Sequence, residues 1–265
     1  MIKLIFCDMD GTLLDPAGNL PAGFGDCFRE LKRRGVLFVP ASGRQYYSLL
    51  ESFGEFKDEM YFVAENGTVV RSGLGETVYL DTFDDDDVSY VLDELKTDFP
   101  SIYPVICSDE AAIIDKKWAK YLPECTKYYT KWRYYDGSTP QDVLKIALCD
   151  CEGRDAERNI YSRLVVPADL KILLSGEIWV DIMQKESDKA RGAKKLIEHL
   201  GLQPSECAAF GDYLNDIELM QTVEHSFAMA NAHQDLKAVA KYETGSNAEG
   251  GVMKKIYELI DKGLI

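Results

Sequence analysis

The sequence predicts an α/β protein with a parallel sheet and a second, inserted α/β module. Short apolar runs alternate with amphipathic stretches through the first part of the chain, which is typical of βαβ units. After Gly67 the pattern changes to alternation with period two, which indicates a hairpin. The length of 265 residues and an apolar content of 46% are enough for one large domain or two ordinary ones.

The elements of the first part follow the order expected of a parallel sheet. They are the strand Leu4 to Cys7, the helix Phe24 to Arg34 ended by Gly35, the strand Val36 to Pro40, the helix Gln45 to Phe53 and the strand Tyr61 to Ala64. Because crossovers between parallel strands are right-handed, the loops after these strands lie on one edge of the sheet, where ligands bind. Asp8, Ser42 and Asp212 each follow such a strand, so we expect them to meet there.

The middle of the chain predicts the separate module. The acidic run Asp84 to Asp87 indicates the start of a helix reaching Lys96, because carboxylates are favourable at a helix N-terminus. The further expected elements are the strands Tyr103 to Ser108, Ala112 to Asp115 and Val143 to Cys149, the helix Glu152 to Arg163, and a hairpin of Leu170 to Leu174 with Ile178 to Met183. We therefore expect one domain formed by residues 1–82 and 188–265, and an inserted domain of residues 83–187.

Charge and cysteine usage exclude several classes of function. A formal net charge of −15 argues against a nucleic acid or an anionic membrane as partner. Seven cysteines without a Cys-x-x-Cys spacing indicate neither a disulfide framework nor a zinc site, and Cys149-Asp150-Cys151 is only a weak signal for a soft metal. No leader resembles a signal peptide and no apolar run approaches the roughly 20 residues of a membrane span. These observations favour a cytoplasmic protein.

The most specific motif is the acidic loop Asp8-Met9-Asp10-Gly11-Thr12, which directly follows the first strand. Two carboxylates at the carboxyl end of a buried parallel strand can converge on one divalent cation, and one of them can attack a phosphorus atom. At ordinary residue frequencies the five fixed letters of Asp-x-Asp-Gly-Thr-Leu coincide by chance about once in a million positions. The motif therefore indicates phosphate chemistry.

Together with this loop, three further motifs resemble the signatures of the haloacid-dehalogenase (HAD) superfamily of phosphohydrolases. They are Ala41 to Arg44 after the second strand, Lys189 at the start of a helix, and Gly211 to Asp216 after the strand Cys207 to Phe210. The closing stretches Asn231-Ala232 and Asn247 to Val252 are similar to the tail of the Cof-type sugar-phosphatase branch. The resemblance implies a Rossmann-like parallel-sheet core, with residues 83–187 as a C2B-type cap that sets substrate specificity.

The resemblance also implies the roles of individual residues. Asp8 would be the nucleophile, and Asp10 the general acid that protonates the leaving group and then activates water. Mg²⁺ would be bound by side-chain oxygens of Asp8 and Asp212 and by the backbone carbonyl of Asp10. The phosphoryl oxygens would be held by the amides of Met9 and Gly43 and by the side chains of Ser42, Lys189 and Asn215. The residues expected around this set are Asp216, Thr12 and Arg44, where Arg44 either touches the substrate or pairs with a carboxylate.

The function expected from the sequence is Mg²⁺-dependent hydrolysis of small phosphorylated metabolites, with sugar phosphates as the favoured class, by a monomer or a homodimer. One alternative is a phosphotransferase similar to the phosphomannomutases, although no added basic cluster for a second phosphate is evident. The other is a sensor that binds a phosphometabolite without turnover, which would not need both Asp8 and Asp10. An aromatic stretch from Trp118 to Tyr135 is either a sugar-stacking surface or part of the core or of an interface of the insert.

Overall fold

The computed structural model describes residues 1–265 and divides the chain into two compact units. The first unit consists of Met1–Tyr79 and Asp188–Ile265, and the second of Leu80–Ser187. The first part of the chain contains β1 (Leu4–Cys7), α1 (Phe24–Arg33), β2 (Leu37–Pro40), α2 (Tyr46–Phe53), β3 (Tyr61–Ala64), β4 (Val69–Ser72) and β5 (Thr77–Leu80).

The second unit contributes α3 (Asp85–Asp98), β6 (Tyr103–Ser108), β7 (Ala112–Ile114), α4 (Leu122–Cys125), β8 (Trp132–Tyr134), β9 (Val143–Cys149), β10 (Leu170–Leu174) and β11 (Trp179–Gln184). The remainder of the first unit contains α5 (Lys189–His199), β12 (Cys207–Gly211), α6 (Ile217–Thr222), β13 (His225–Ala228), α7 (Gln234–Val239), β14 (Tyr242–Glu243) and α8 (Gly251–Asp261). The longest helix has 14 residues, and none of the helices could span a lipid bilayer.

The first unit is built on a parallel sheet with the order β14-β13-β12-β1-β2. In this register Cys7, the last residue of β1, lies opposite Phe210 of β12 and Pro40 of β2. The residues that follow these strands therefore emerge at the same sheet edge. This register brings together the loops that begin at Asp8, Ala41 and Asp212. A smaller sheet of the same unit has the order β3-β4-β5.

Helix α1 shows how the sequence pattern produces the packing of the first unit. Phe24, Cys27, Phe28 and Leu31 are buried and follow the i, i+3, i+4, i+7 spacing of one helix face. The ring of Phe24 lies within 6.0 Å of four other aromatic rings, of which Phe38 belongs to β2. Burial of one such side chain contributes about 1.5–3 kcal/mol. The packing therefore anchors the helix against the strand that leads to Ser42.

The second unit has its own sheet with the order β10-β11-β9-β6-β7-β8, in which only β7 and β8 are parallel. Successive residues of β9 serve two different cores: Ile146 and Leu148 pack with residues of α3, whereas Ala147 and Cys149 pack with an aromatic cluster. Of the aromatic stretch, Trp118 and Tyr129 are buried in this second cluster, while Tyr128 and Tyr135 are exposed. Most of the hydrophobic surface of this stretch therefore serves packing within the second unit.

The helix expected at Glu152 to Arg163 is wrong, because only a single helical turn forms, at Glu157–Tyr161. The carboxylate of Asp150 accepts hydrogen bonds from the backbone N–H groups of Gly153 and Asp155 and from the side chain of Asn159. Arg154 has a φ of 53°, which does not continue a right-handed helix. Local side-chain bonds thus replace the helix by a loop.

Candidate active site

The candidate site lies at the edge of the first unit's sheet, where β1 ends. Asp8 is buried there, and the loop after it closes on itself through bonds from the N–H of Leu13 to the carbonyl of Asp8 and from the N–H of Leu14 to that of Met9. Gly11 has a φ of 81°, and a Cβ at this position would overlap the carboxylate of Asp212. The loop therefore approaches Asp212 as closely as it does because residue 11 is glycine.

Lys189 lies between two buried carboxylates. Its ammonium nitrogen is 2.5 Å from Oδ1 of Asp8 and 2.7 Å from Oδ1 of Asp216, and 1% of its side chain is exposed. It is the first residue of α5, which begins where the side chain of Asp188 accepts a hydrogen bond from the N–H of Arg191. A buried ammonium is tolerated because both carboxylates compensate its lost hydration.

Asp212 and Asp216 form the third part of the site. The Thr12 hydroxyl donates to Oδ1 of Asp212 at 3.0 Å, across 200 positions of the sequence. Oδ2 of Asp216 accepts hydrogen bonds from the N–H groups of Asp212 and Tyr213. Asp216 thus binds the backbone of the loop with one oxygen and Lys189 with the other.

The buried carboxylates of this site have too few positively charged neighbours for all of them to be ionised readily. Burial raises the pKa of Asp8 to about 8, with Asp216 adding to the shift and Lys189 opposing it. Burial and the charge of Asp216 also raise the pKa of Asp212. Although burial alone would lower it, the charges of Asp216 and Asp8 raise the pKa of Lys189. One ammonium faces three carboxylates, so a further cation would stabilise the ionised form of the group.

The donor set of the site fits Mg²⁺. One carboxylate oxygen each from Asp8, Asp212 and Asp216 lie within 4.8 Å of one another. Mg²⁺ prefers oxygen ligands at about 2.1 Å, which places opposite ligands about 4 Å apart. The three carboxylates are therefore spaced so that they could hold such an ion.

The side chain of Asp10 takes part in a different interaction. Arg44 donates to both of its carboxylate oxygens, from Nε at 2.8 Å and from Nη2 at 2.5 Å. The Asp10 carboxylate remains 61% exposed. Of the two interactions left open for Arg44, the structure shows the one with a carboxylate. The arginine orients the carboxylate by two parallel bonds rather than by charge alone.

Ser42 and Asn215 lie in the two remaining loops of the site. Ser42 is buried, and its hydroxyl accepts a hydrogen bond from the N–H of Arg44. The following helix α2 begins only at Tyr46, so this hydroxyl does not cap it. The side-chain amide of Asn215 donates to Oδ1 of Asn66 at 3.5 Å.

Three asparagines of the site were not recognised as site residues from the sequence. Asn231 donates to the carbonyl of Gly11 and accepts from the N–H of Asn247, whose own side chain donates to the carbonyl of Leu14. The closing stretches of the chain therefore hold the acidic loop in place. For Asn231 and Asn247, the sequence signal was the similarity of their stretches to the tail of a known family. For Asn66, the only sequence signal was the turn predicted at Gly67.

The sequence matches the haloacid dehalogenase-like hydrolase family over residues 5–256. The chain belongs to this family. As its motifs predicted, this haloacid dehalogenase-like hydrolase is an enzyme of the phosphatase class. The α/β fold with its parallel central sheet is likewise the fold of the family.

Individual relatives of known sequence or structure match nearly the whole length of this chain. One is 5-amino-6-(5-phospho-D-ribitylamino)uracil phosphatase of Escherichia coli (strain K12), which is 33% identical over 270 residues, 99% of this chain and 96% of the relative. Another is HMP-PP phosphatase of Escherichia coli (strain 55989 / EAEC), 29% identical over 90% of this chain and 88% of the relative. A solved haloacid dehalogenase-like hydrolase from Bacteroides thetaiotaomicron shares the fold, with a TM-score of 0.84 at 21% identity, and covers 98% of this chain and 100% of the solved chain.

Proposed function

We propose that this protein is a Mg²⁺-dependent phosphatase that hydrolyses small phosphorylated metabolites through an aspartyl-phosphate on Asp8. The observation that carries the proposal is a buried cluster of charged side chains. In it, Lys189 contacts Asp8 and Asp216, and a carboxylate oxygen of Asp212 lies within 4.8 Å of an oxygen of each of these two aspartates. A buried carboxylate beside a fixed ammonium can act as a nucleophile on a phosphoryl group. The cytoplasmic location stays a prediction from the sequence.

The reaction proceeds in two displacements. A carboxylate oxygen of Asp8 attacks phosphorus, the bond to the leaving oxygen breaks, and the carboxyl of Asp10 gives its proton to that oxygen. Asp10 then accepts a proton from water, whose oxygen attacks the same phosphorus. The bond between phosphorus and Asp8 breaks, which releases inorganic phosphate and restores the carboxylate.

The contact with Arg44 affects how Asp10 can transfer a proton in these steps. In the structure both oxygens of Asp10 accept bonds from the guanidinium. We propose that Asp10 loses at least one of these bonds when it protonates the leaving group, because the transferred proton must occupy one of the oxygens. Arg44 would thus hold Asp10 in one orientation between turnovers.

The charge of the phosphoryl group is balanced by groups of the first unit. Lys189 contributes a full positive charge, while Ser42, Asn215 and the amides of Met9 and Gly43 are proposed donors to the phosphoryl oxygens. Mg²⁺, held by the side chains of Asp8 and Asp212 and the backbone carbonyl of Asp10, would shield the repulsion between the Asp8 carboxylate and the phosphate.

The proposed substrates are phosphorylated sugars and sugar alcohols. The Escherichia coli K12 relative is named for a phospho-D-ribityl compound, and this compound together with hexose 6-phosphates forms the first test set. HMP-PP, for which the second relative is named, completes the set. The measurement is release of phosphate and of the dephosphorylated product, for the parent and for Asp8→Asn.

We expect phosphate and free product to appear in equal amounts with the parent, in Mg²⁺ but not in chelator. Ca²⁺ should fail to replace Mg²⁺, because its longer bonds and higher ligand number allow both Asp8 oxygens to bind it and so hinder in-line attack. Full activity in chelator would reject the metal requirement. Formation of an isomeric monophosphate without phosphate release would assign the protein to the phosphotransferases, and binding without turnover would make it a sensor.

A further inference from the structure

The turn Glu65–Gly67, directly after β3, has an uncommon backbone. Its three residues have φ values of 49°, 54° and 94°. Glycine adopts such values without strain, but Glu65 and Asn66 carry side chains in the left-handed region. Consecutive residues of this kind persist where the surrounding structure holds them, and such strain concentrates at functional sites.

The backbone of this turn holds the loop that contains Ser42. The N–H of Glu65 donates to the carbonyl of Arg44 and the N–H of Asn66 to the carbonyl of Ser42, both at 3.0 Å. The carbonyl of Ser42 and the N–H of Gly43 belong to one planar trans peptide and point in opposite directions. The bond from Asn66 therefore aims the N–H of Gly43, a proposed phosphate donor, away from the turn.

The side chain of Asn66 contacts the same loop. A Cβ placed on Gly43 would lie 3.0 Å from Oδ1 and 3.1 Å from Nδ2 of Asn66, so the amide is packed against the glycine backbone. Oδ1 of Asn66 also accepts the bond from Asn215. One side chain thus meets two of the residues proposed to bind the phosphoryl group.

Gly67 connects the turn to the third of these residues. A Cβ on Gly67 would overlap the carbonyl of Asp188 and come within 3.1 Å of Cα of Lys189. The turn is therefore packed directly on the first residue of α5. Gly43, Asn215 and Lys189, which come from three separate segments, all lie against these three residues.

We propose that Asn66 is a positioning residue that sets the phosphate-binding geometry by fixing the peptide of Gly43 and the amide of Asn215. The inference rests on the proposed phosphatase function. If Asn66 served the turn alone, glycine would replace it without loss, because glycine adopts the same backbone and keeps the same N–H.

The test compares Asn66→Gly and Asn66→Asp with the parent, using a small aryl phosphate as substrate and orthovanadate as inhibitor in Mg²⁺. Asn66→Gly keeps the turn and removes the amide, and we expect kcat/KM to fall and the vanadate inhibition constant to rise by about tenfold or more. Asn66→Asp keeps the size and the acceptor oxygen but adds a charge that repels phosphate, so we expect KM to rise more than kcat falls. Arg154→Gly, at a left-handed position of the second unit, is the control for the backbone change.

Values for Asn66→Gly within about twofold of the parent would overturn the inference. If Asn66→Gly fails to fold, the Asn66→Asp variant serves as the test. A vanadate inhibition constant of Asn66→Asp equal to that of the parent would then overturn the inference. A parent that hydrolyses no phosphomonoester would instead refute the proposed function. The two failures are therefore distinguishable.

Discussion

At the scale of single residues, Asp8 is unusual because its burial opposes the ionised state that its proposed role as nucleophile requires. The pKa of its carboxyl is raised to about 8, mainly by burial, although Lys189 opposes the shift. The folded protein therefore holds this proton more tightly than the unfolded chain does. In the absence of a bound cation, folding therefore favours the protonated form of Asp8, whereas the proposed reaction needs the ionised form.

The first prediction follows from this conflict. The unfolded-state pKa of an aspartate is about 4, below the folded value, so in chelator the free energy of unfolding of the parent should fall between pH ~4 and pH ~8 relative to Asp8→Asn. The measurement is denaturant unfolding of both proteins across this range. Asp8→Asn should also lose turnover in Mg²⁺, by far more than tenfold.

Asp261→Asn is the control, because Asp261 is an exposed carboxylate at the end of α8. This substitution should leave the pH profile of stability and the activity unchanged. A difference in unfolding free energy between the parent and Asp8→Asn that is constant with pH would contradict the assigned pKa shift. Retained turnover would contradict the nucleophile.

At the scale of elements, the loop after β1 depends on contacts with loops from elsewhere in the first unit. Thr12 bonds to Asp212, Asn231 to the carbonyl of Gly11, and Asn247 to that of Leu14. Each of these partners lies more than 190 positions away along the chain. The geometry of the loop is therefore a property of the assembled sheet edge.

The second prediction uses two glycines with nearly the same φ. Gly11 and Gly18 have φ values of 81° and 82°, but a Cβ on Gly11 would overlap the Asp212 carboxylate, whereas a Cβ on Gly18 would meet nothing within 4 Å. Alanine at either position should cost about 1–2 kcal/mol of stability through left-handed strain. Only Gly11→Ala should also displace Asp212 and lower kcat/KM by about a hundredfold.

The two variants are compared by steady-state kinetics and by unfolding in Mg²⁺. Equal kinetics for Gly11→Ala and Gly18→Ala would show that the contact with Asp212 is not required. Gly18→Ala introduces a left-handed alanine without a clash, so it shows how much of any change in kinetics comes from the backbone alone.

At the scale of the whole molecule, the second unit is an insertion with adjacent ends. The hydroxyl of Ser187 donates to the carboxylate of Asp81, and the side chain of Gln184 donates to the carbonyl of Thr82. The unit also has two hydrophobic clusters of its own. We propose that residues 83–187 select the substrate, while the first unit carries the chemistry.

The third prediction tests this division of roles. Replacing residues 83–187 by a short Gly/Ser linker should remove the ranking among phosphorylated metabolites, while slow hydrolysis of a small aryl phosphate survives. The same truncation with Asp8→Asn is the control and should be inactive. If the folded, truncated protein kept the parent's ranking, specificity would lie in the loops of the first unit.

Features that depend on neighbours along the chain were predictable from the order of the amino acids alone. Apolar runs indicated β1, β2 and β12 of the parallel sheet, and the residue types directly after them placed Asp8, Ser42 and Asp212 on one edge. Strand β3, which was expected in the same sheet, instead pairs with β4 in the smaller sheet and meets the parallel sheet by one bridge between Ala41 and Val63.

Local bonding patterns were harder to anticipate. Hydrogen bonds to the carboxylate of Asp150 form a loop where a helix was expected. Strand β8 is three residues long, which is too short for its side-chain alternation to be recognised in the sequence.

Which of these residues contact one another became evident only from the folded chain. Arg44 could have reached the substrate or a carboxylate, and the register of β1 with β2 brings it to Asp10. Asn66 became a candidate through its packing on Gly43, which nothing in its own segment indicates. The physical reason is that such contacts depend on the positions of three loops in space, and each loop is held by bonds to parts of the chain distant in sequence.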